Sequence, residues 1–311
     1  MIGLGLLGGS VAAAASHHGV ATTVAGASRS KDARDFALRQ QWVDEAGNAM
    51  EAASGADLVV LATPVFAMVD VLRELAPALR SDSIVTDVGS VKAKLAETLP
   101  GLLPGGVCYV GSHPMAGSHE RGIEYASADL FADSPCAVTD SGQPEAQRRV
   151  CSFWRALGAR VVMRDPTVHD DQVAWMSHTP HVLAFSFAAA LARAPEGSGA
   201  LTGSGFRDFT RIAASDSELW SDILTANRKA LAAPLAAVSD AFRELGQAIE
   251  ANDPESVERW ISGARDALAL VVRSTAHARS MDEVHSSSQT TDPRTKVNLR
   301  SGHESEDKLD E

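Results

Sequence analysis

The chain opens MIGLGLLGGS, which places Gly3, Gly5 and Gly8 in G-x-G-x-x-G spacing at its very start. In a dinucleotide-binding unit one of these glycines allows the tight turn after the first strand, one lets the backbone approach a pyrophosphate, and one lets helix and strand pack closely. The run GSVAAAASHHG then reads as a small-residue helix closed by Gly19, and the amides at its N-terminal end, with Leu6 and Leu7 just before the run, would hold the phosphates. A strand of about five residues should precede the turn. Only Met1 and Ile2 do so. The expectation is a nucleotide site with a shortened first strand, the opening MIG lying inside that strand and the natural chain starting upstream.

From Val20 to about Met163, short strand-like runs (TTVAG, ADLVVLATP, SIVTDVGS, CYVGSHP, PCAVTD, RVVMR) alternate with amphipathic segments such as FAMVDVLRELAPAL. Buried strands separated by helices are the pattern of a mostly parallel sheet. Near Asp165 the texture changes. Asp165 and Pro166 fit an N-cap and a first helical position, and helical spacing of apolar residues then continues to about Met281. The expected fold is α/β, with a Rossmann-type doubly wound domain over 1–164 and an all-helical domain for substrate binding and dimerisation over 165–281. The polar segment 282–311 has almost no large apolar residue and is expected to be a disordered tail.

Composition narrows the function. A net charge of -12 argues against nucleic acid, and no apolar run approaches the roughly 18 residues of a membrane span. No signal-peptide pattern is present, so the expected compartment is the cytoplasm. Cys108, Cys136 and Cys151 are odd in number and widely spaced, which suits reduced thiols better than a disulfide frame or a zinc site.

The second strand of a unit that binds NAD should end in an acid for the adenosine ribose. Here that end reads Ala27, Ser28, Arg29, Ser30, with no acid before Asp32. Hydroxyls and an arginine suit a 2′-phosphate, so NADP is favoured over NAD, through Ser28 and Arg29. A solvated loop cation is the alternative for Arg29.

Three further stretches, LATPV at 61–65, DVGSVK at 87–92 and GSHPMAGSHERGIEYASADLF at 111–131, precede MSHTPH at 176–181 and GFRDFTRIAASDSELWSDILTAN at 205–227. In order and spacing the set resembles the prephenate and arogenate dehydrogenases of tyrosine biosynthesis, over roughly residues 1–280. That resemblance implies hydride transfer from the hydroxyl-bearing ring carbon to a nicotinamide, with loss of the ring carboxylate as CO2. It implies that His113 accepts the hydroxyl proton, that Ser90 helps orient substrate and histidine, and that Thr63 and Pro64 join the cofactor set. Arg211 matches an arginine that binds a substrate carboxylate, a task suited to a bidentate guanidinium; Arg207 reads as a surface cation.

His178 and His181 share a helical face, Pro180 between them should kink the helix, and the resemblance makes this segment line the substrate pocket. With the HDD run at 169–171 these histidines are donor types that bind zinc or iron, but the reading adopted has no metal. Trp220 and Asn227 read as packing. Several relatives carry an acid where this chain has His119, followed by Glu120, which leaves prephenate against arogenate open. The resemblance also implies a homodimer built through the helices. Competing readings are a β-hydroxyacid dehydrogenase, for which Lys229 would be the lysine on offer, and a nucleotide-sensing protein without turnover.

Overall fold

Met1, Ile2 and Gly3 run along the middle of a parallel sheet. On one side Ile2 N donates to Val60 O at 2.9 Å and Ala62 N to Ile2 O at 2.7 Å; on the other, Ala27 N donates to Met1 O at 2.8 Å and Gly3 N to Ala27 O at 2.9 Å. These three residues pair with both neighbours as a first strand would. The structure is a computed structural model, describing residues 1–117 and 120–287, with the side chains of the last helix described as far as 273.

The elements follow in order as α1 (Leu6–His17), β1 (Ala25–Ala27), α2 (Lys31–Arg39), β2 (Glu45–Gly47), α3 (Ala49–Ala53), β3 (Leu58–Leu61), α4 (Val65–Leu75), β4 (Ile84–Asp87), α5 (Ala93–Thr98) and β5 (Cys108–Tyr109). Ile2 bridges Ala27 and Leu61 in parallel, so the strand order is β2-β1-Ile2-β3-β4-β5. This is the order of a doubly wound dinucleotide-binding sheet. Alternate residues of β3 and β4 feed different cores: Val60 and Ile84 join Val11 and Trp154 on one face, while Val59, Leu61 and Val85 join Met68, Leu72 and Leu95 on the other.

The run CYVGSHP does not continue as one strand. After β5 the chain switches sheets at Gly111, where an added Cβ would meet Thr139 Oγ1 at 2.8 Å. It then forms β6 (Ser112–Pro114), antiparallel to β7 (Pro135–Thr139). Beyond β7 lie α6 (Pro144–Ala156) and β8 (Arg160–Arg164), which pairs in parallel with β7. β2 carries no β-branched residue and so lacks a strand signal in the sequence.

The remaining elements are α7 (Pro166–Val173), α8 (Thr179–Ala190), α9 (Ser204–Thr210), α10 (Ser217–Ala226), α11 (Arg228–Glu250) and α12 (Pro254–Ser287). Asp165 caps α7, its carboxylate accepting from Thr167 N at 2.8 Å and Val168 N at 3.1 Å. A π-helical turn over Ala174–His178 joins α7 to α8, and Thr179 Oγ1 donates to Ala174 O at 2.7 Å. The break expected at Pro180 therefore takes the form of a widened turn just before it.

Among the described residues, Met1–Leu231 form one compact unit and residues 232–287 belong to a second. In the second, α11 and α12 are joined by a turn in which Asn252 has φ 53° and Asp253 accepts from Ser256 N at 3.0 Å. α12 continues to Ser287, past the point where the sequence reading begins its tail, because nothing in MDEVHSS breaks a helix. Residues 288–311 of that expected tail lie outside the described residues. Among the described residues no helix is long and apolar enough to cross a membrane.

Two glycines of the opening motif are sterically required. Gly3 has φ +103°, and a Cβ there would lie 2.6 Å from Ala62 O. A Cβ on Gly8 would overlap Gly3 O and sit 2.9 Å from the Ala62 Cβ, whereas at Gly5 nothing lies within 4 Å. Gly8→Ala should accordingly destabilise the protein by about 1–3 kcal/mol or more, as overpacking against backbone does. Gly5→Ala should leave the melting temperature of the ligand-free protein near that of the parent. Thermal denaturation of the two variants checks this contrast; equal melting temperatures would contradict it.

Candidate active site

β6 delivers His113 to a buried polar cluster in the first unit, with the residue 7% exposed. His113 Nδ1 lies 2.9 Å from His169 Nε2, and His169 Nδ1 lies 2.8 Å from Asp170 Oδ1. The Asp170 carboxylate also accepts from Lys92 N at 2.7 Å and Ala93 N at 2.9 Å. The Asp170 carboxylate accepts from His169 Nδ1–H, and an imidazole protonated at that nitrogen alone presents a lone pair at Nε2. His113 must then donate its Nδ1–H to that lone pair, which leaves His113 Nε2 as an acceptor. Among the described residues that nitrogen has no hydrogen-bond partner.

The electrostatics keep His113 neutral. Burial, followed by the nearby His169, Lys92 and His178, holds its imidazole well below the ordinary histidine range. Beneath it, Lys92 Nζ and the Asp87 carboxylate form an ion pair, with side chains 1% and 0% exposed. Asp87 also accepts from Tyr109 Oη at 2.8 Å, Ser112 N at 3.1 Å and Gly89 N at 2.9 Å. The loop DVGSVK is thus pinned at both ends, by Asp87 and Lys92. Ser90 lies half-buried at its tip and has no hydrogen-bond partner among the described residues, so its bond to His113 is not seen.

His178 is 1% exposed and His181 half-buried. Trp220 stacks on His181 with ring centroids 3.6 Å apart and meets His178 edge-on at 6.0 Å. Asn227 Nδ2 reaches both Asp170 O, at 2.9 Å, and His178 Nδ1, at 3.0 Å. Asn227 is therefore a member of the polar cluster, and the packing role read from the sequence is corrected. His181 Nδ1 donates to Ser177 O at 2.9 Å, and its pKa is lowered by burial, with Arg211 adding to the effect. Arg211 is exposed at the end of α9 and close enough for its charge to be felt by His181; Arg207 donates instead to Thr202 O at 3.2 Å.

His169, Asp170, Lys92 and Asn227 are the residues that sequence reasoning missed. The HDD run was visible there only as a set of metal donors. Its His and first Asp are instead consumed by hydrogen bonds to each other, to His113 and to the start of α5. His119 and Ser118 lie outside the described residues. Lys229 is exposed at the start of α11.

On the nucleotide side, Gly5 caps α1 with open space where a Cβ would stand, and the amides of Leu6 and Leu7 open the helix. Thr63, at the turn after β3, has a buried Oγ1 with no hydrogen-bond partner among the described residues, and Pro64 caps α4. An orphaned hydroxyl beside an open glycine turn fits a dinucleotide. At the end of β1, Ser28 is half-buried and Arg29 exposed. Ser28 O accepts from the Arg34 guanidinium and Ser28 Oγ from Ser30 N at 3.2 Å.

Two family models and several known proteins match the chain. Residues 11–163 match the family model described as prephenate dehydrogenase, nucleotide-binding domain, and 165–263 that described as prephenate dehydrogenase, dimerization domain. The cyclohexadienyl dehydrogenase of Zymomonas mobilis is 35% identical over 278 residues, covering 87% of this chain and 94% of that one. The crystal structure of prephenate dehydrogenase from Aquifex aeolicus with hydroxyphenyl propionate and NAD+ is similar with a TM-score of 0.80 at 26% identity, over 87% of this chain and 96% of that one. Synechocystis arogenate dehydrogenase gives a TM-score of 0.72 at 31% identity, over 86% and 98%. With both halves matched and the nucleotide and histidine sites built on them, the chain belongs to the prephenate dehydrogenase family.

Proposed function

We propose that the protein oxidatively decarboxylates prephenate, arogenate or both, with a nicotinamide dinucleotide as hydride acceptor. The observation that carries this reading is the hydrogen-bonded line from Asp170 through His169 to His113, which leaves one neutral imidazole nitrogen free to accept a proton. When bound, the cofactor supplies the acceptor for the hydride leaving the hydroxyl-bearing ring carbon. His113 Nε2 takes the hydroxyl proton as the carbon becomes a carbonyl, and His169, backed by Asp170, holds the His113 ring in orientation through its Nδ1. Loss of CO2 then moves the electron pair of the broken carbon–carbon bond into the ring, and His113 returns the proton to the phenolate oxygen. Arg211 binds a substrate carboxylate, and Ser90 at the tip of its pinned loop orients the hydroxyl.

NADP is the cofactor we favour. Ser28 and Arg29 supply a hydroxyl and a cation at the end of β1, and Arg34 adds a second guanidinium held on Ser28 O. The assembly we favour is a homodimer. In the second unit Phe242, Leu268 and Leu270 are 66%, 65% and 66% exposed, an apolar surface that a second copy would cover.

An assay crossing prephenate and arogenate with NAD and NADP tests the reading as a whole, and absence of reduced cofactor in all four combinations would refute it. His113→Asn should lower kcat about 10²- to 10⁴-fold with little change in KM, because its help is given in the transition state. Arg211→Ala should chiefly raise KM, since its carboxylate contact exists in the ground state too. The pH dependence has a definite sign. His113 must be unprotonated, and its pKa is lowered, so the parent rate should hold through neutral pH and fall only below the ordinary histidine range. That acidic limb should vanish in His113→Asn; persistence of the limb would remove His113 from the base role.

Cofactor choice has its own test. A charge-assisted contact to the 2′-phosphate contributes roughly 10- to 150-fold in affinity, so Arg29→Ala should weaken NADP by up to that factor and leave NAD unchanged. Equal losses for both cofactors would contradict the assignment.

A further inference from the structure

His178 Nε2 is a buried nitrogen with no hydrogen-bond partner among the described residues. A buried polar atom in that state calls for an explanation. Its proton can be assigned from the far side of the ring. The backbone carbonyl of Asp170 can only accept, so the atom of Asn227 that meets it at 2.9 Å is the amide nitrogen, and the orientation of the Asn227 side chain is settled. The other hydrogen of the same nitrogen is available to His178 Nδ1 at 3.0 Å, which accepts it with a lone pair. A neutral imidazole with a lone pair on Nδ1 carries its proton on Nε2. Burial lowers the pKa of His178 to about 4, so the ring is neutral at pH 7.

We infer that Asn227 is a positioning residue that holds His178 as the Nε2–H tautomer, and that this waiting N–H donates to a carboxylate oxygen of the substrate. The inference rests on the proposed function for the identity of that substrate. Its chemical side follows from the surroundings. The imidazole is confined by the edge of Trp220, whose face stacks on His181, and His181 in turn feels the charge of Arg211. A carboxylate here can take one bond from a cation and another from a neutral donor. At pH 7 the neutral donor has no proton to gain or lose. Asn227 thereby serves two histidine systems at once, since its hold on the Asp170 carbonyl ties the His178 tautomer to the residue that sets that of His113.

The test uses the full-length protein labelled with ¹⁵N-histidine and long-range ¹H–¹⁵N correlation spectra at pH 7, His178 being assigned by the signals lost in His178→Gln. The expected spectrum shows His178 protonated on Nε2 and bare on Nδ1, and saturating 4-hydroxyphenylpyruvate moves the Nε2–H signal while NADP alone does not. Asn227→Ala should mix the tautomers and raise KM for prephenate about tenfold or more, the contribution of a hydrogen bond to a charged group, with cofactor affinity unchanged. If that variant does not fold, the parent spectrum decides. An Nδ1–H or charged His178 in the parent would overturn the inference, as would an Nε2–H signal that follows NADP alone or stays fixed when 4-hydroxyphenylpyruvate binds. Lack of turnover with every substrate would refute the proposed function and the substrate half of the inference, while the tautomer remains readable independently.

Discussion

Asp170 is the residue on which the site depends. Its two carboxylate oxygens accept from Lys92 N, Ala93 N and His169 Nδ1, and its backbone carbonyl accepts from Asn227. Each of these partners is thereby oriented, and two of them pass the orientation on, His169 to His113 and Asn227 to His178. The residue is 4% exposed, so solvent does not compete for its oxygens, and in such surroundings an unmade hydrogen bond is expensive. One buried acceptor set can therefore orient three imidazoles. It also holds the start of α5, where a negative group is favoured by the exposed amides of a helix N-terminus.

The sheet explains why these groups stand together. In a doubly wound sheet ligands bind outside the carboxyl ends of the strands, at the point where strand order reverses. That point is Ile2, between β1 and β3, and the turns that follow it carry the glycine motif, Ser28 and Thr63. The next strand, β4, ends in Asp87 and hands over to the loop with Ser90. Gly111 lets the chain leave this sheet at the adjacent edge, and β6 then carries His113, so the glycine-rich turn and the His113 cluster are separated by a single change of sheet. The ion pair of Lys92 with Asp87 fixes the loop between them. A pair so fully buried gains little net stability from its charge, and its main effect here is to define one geometry for the loop.

Part of this is legible in the sequence. The glycine spacing, the alternation of strands and helices and the change of texture at Asp165 follow from local chemistry, and each has its counterpart in the structure. His113 and Arg211 stand out in the sequence through the family that the motifs around them resemble, and of the two it is His113 that the fold buries in the polar cluster. What the sequence concealed is of a different kind. β2 is a strand by virtue of its neighbour β1 and lacks any β-branched residue. Asn227 lies 57 residues from Asp170 in the chain, and His113 lies 56 from His169. No periodicity couples residues so far apart. The HDD run was visible, yet donor types alone could not say whether metal or hydrogen bonds would occupy them, because that depends on what the fold brings within 3 Å.

The central claim is that Asp170 sets the proton acceptor at His113 through His169. The most direct measurement is the turnover of Asp170→Asn with prephenate, read beside its affinity for NADP as a control for an intact nucleotide site. An amide has only one accepting oxygen for three donors, so the proton pattern of the histidines should be lost. A fall in kcat of about 10²- to 10⁴-fold with cofactor affinity retained is the predicted result. Turnover within a few-fold of the parent would contradict the claim.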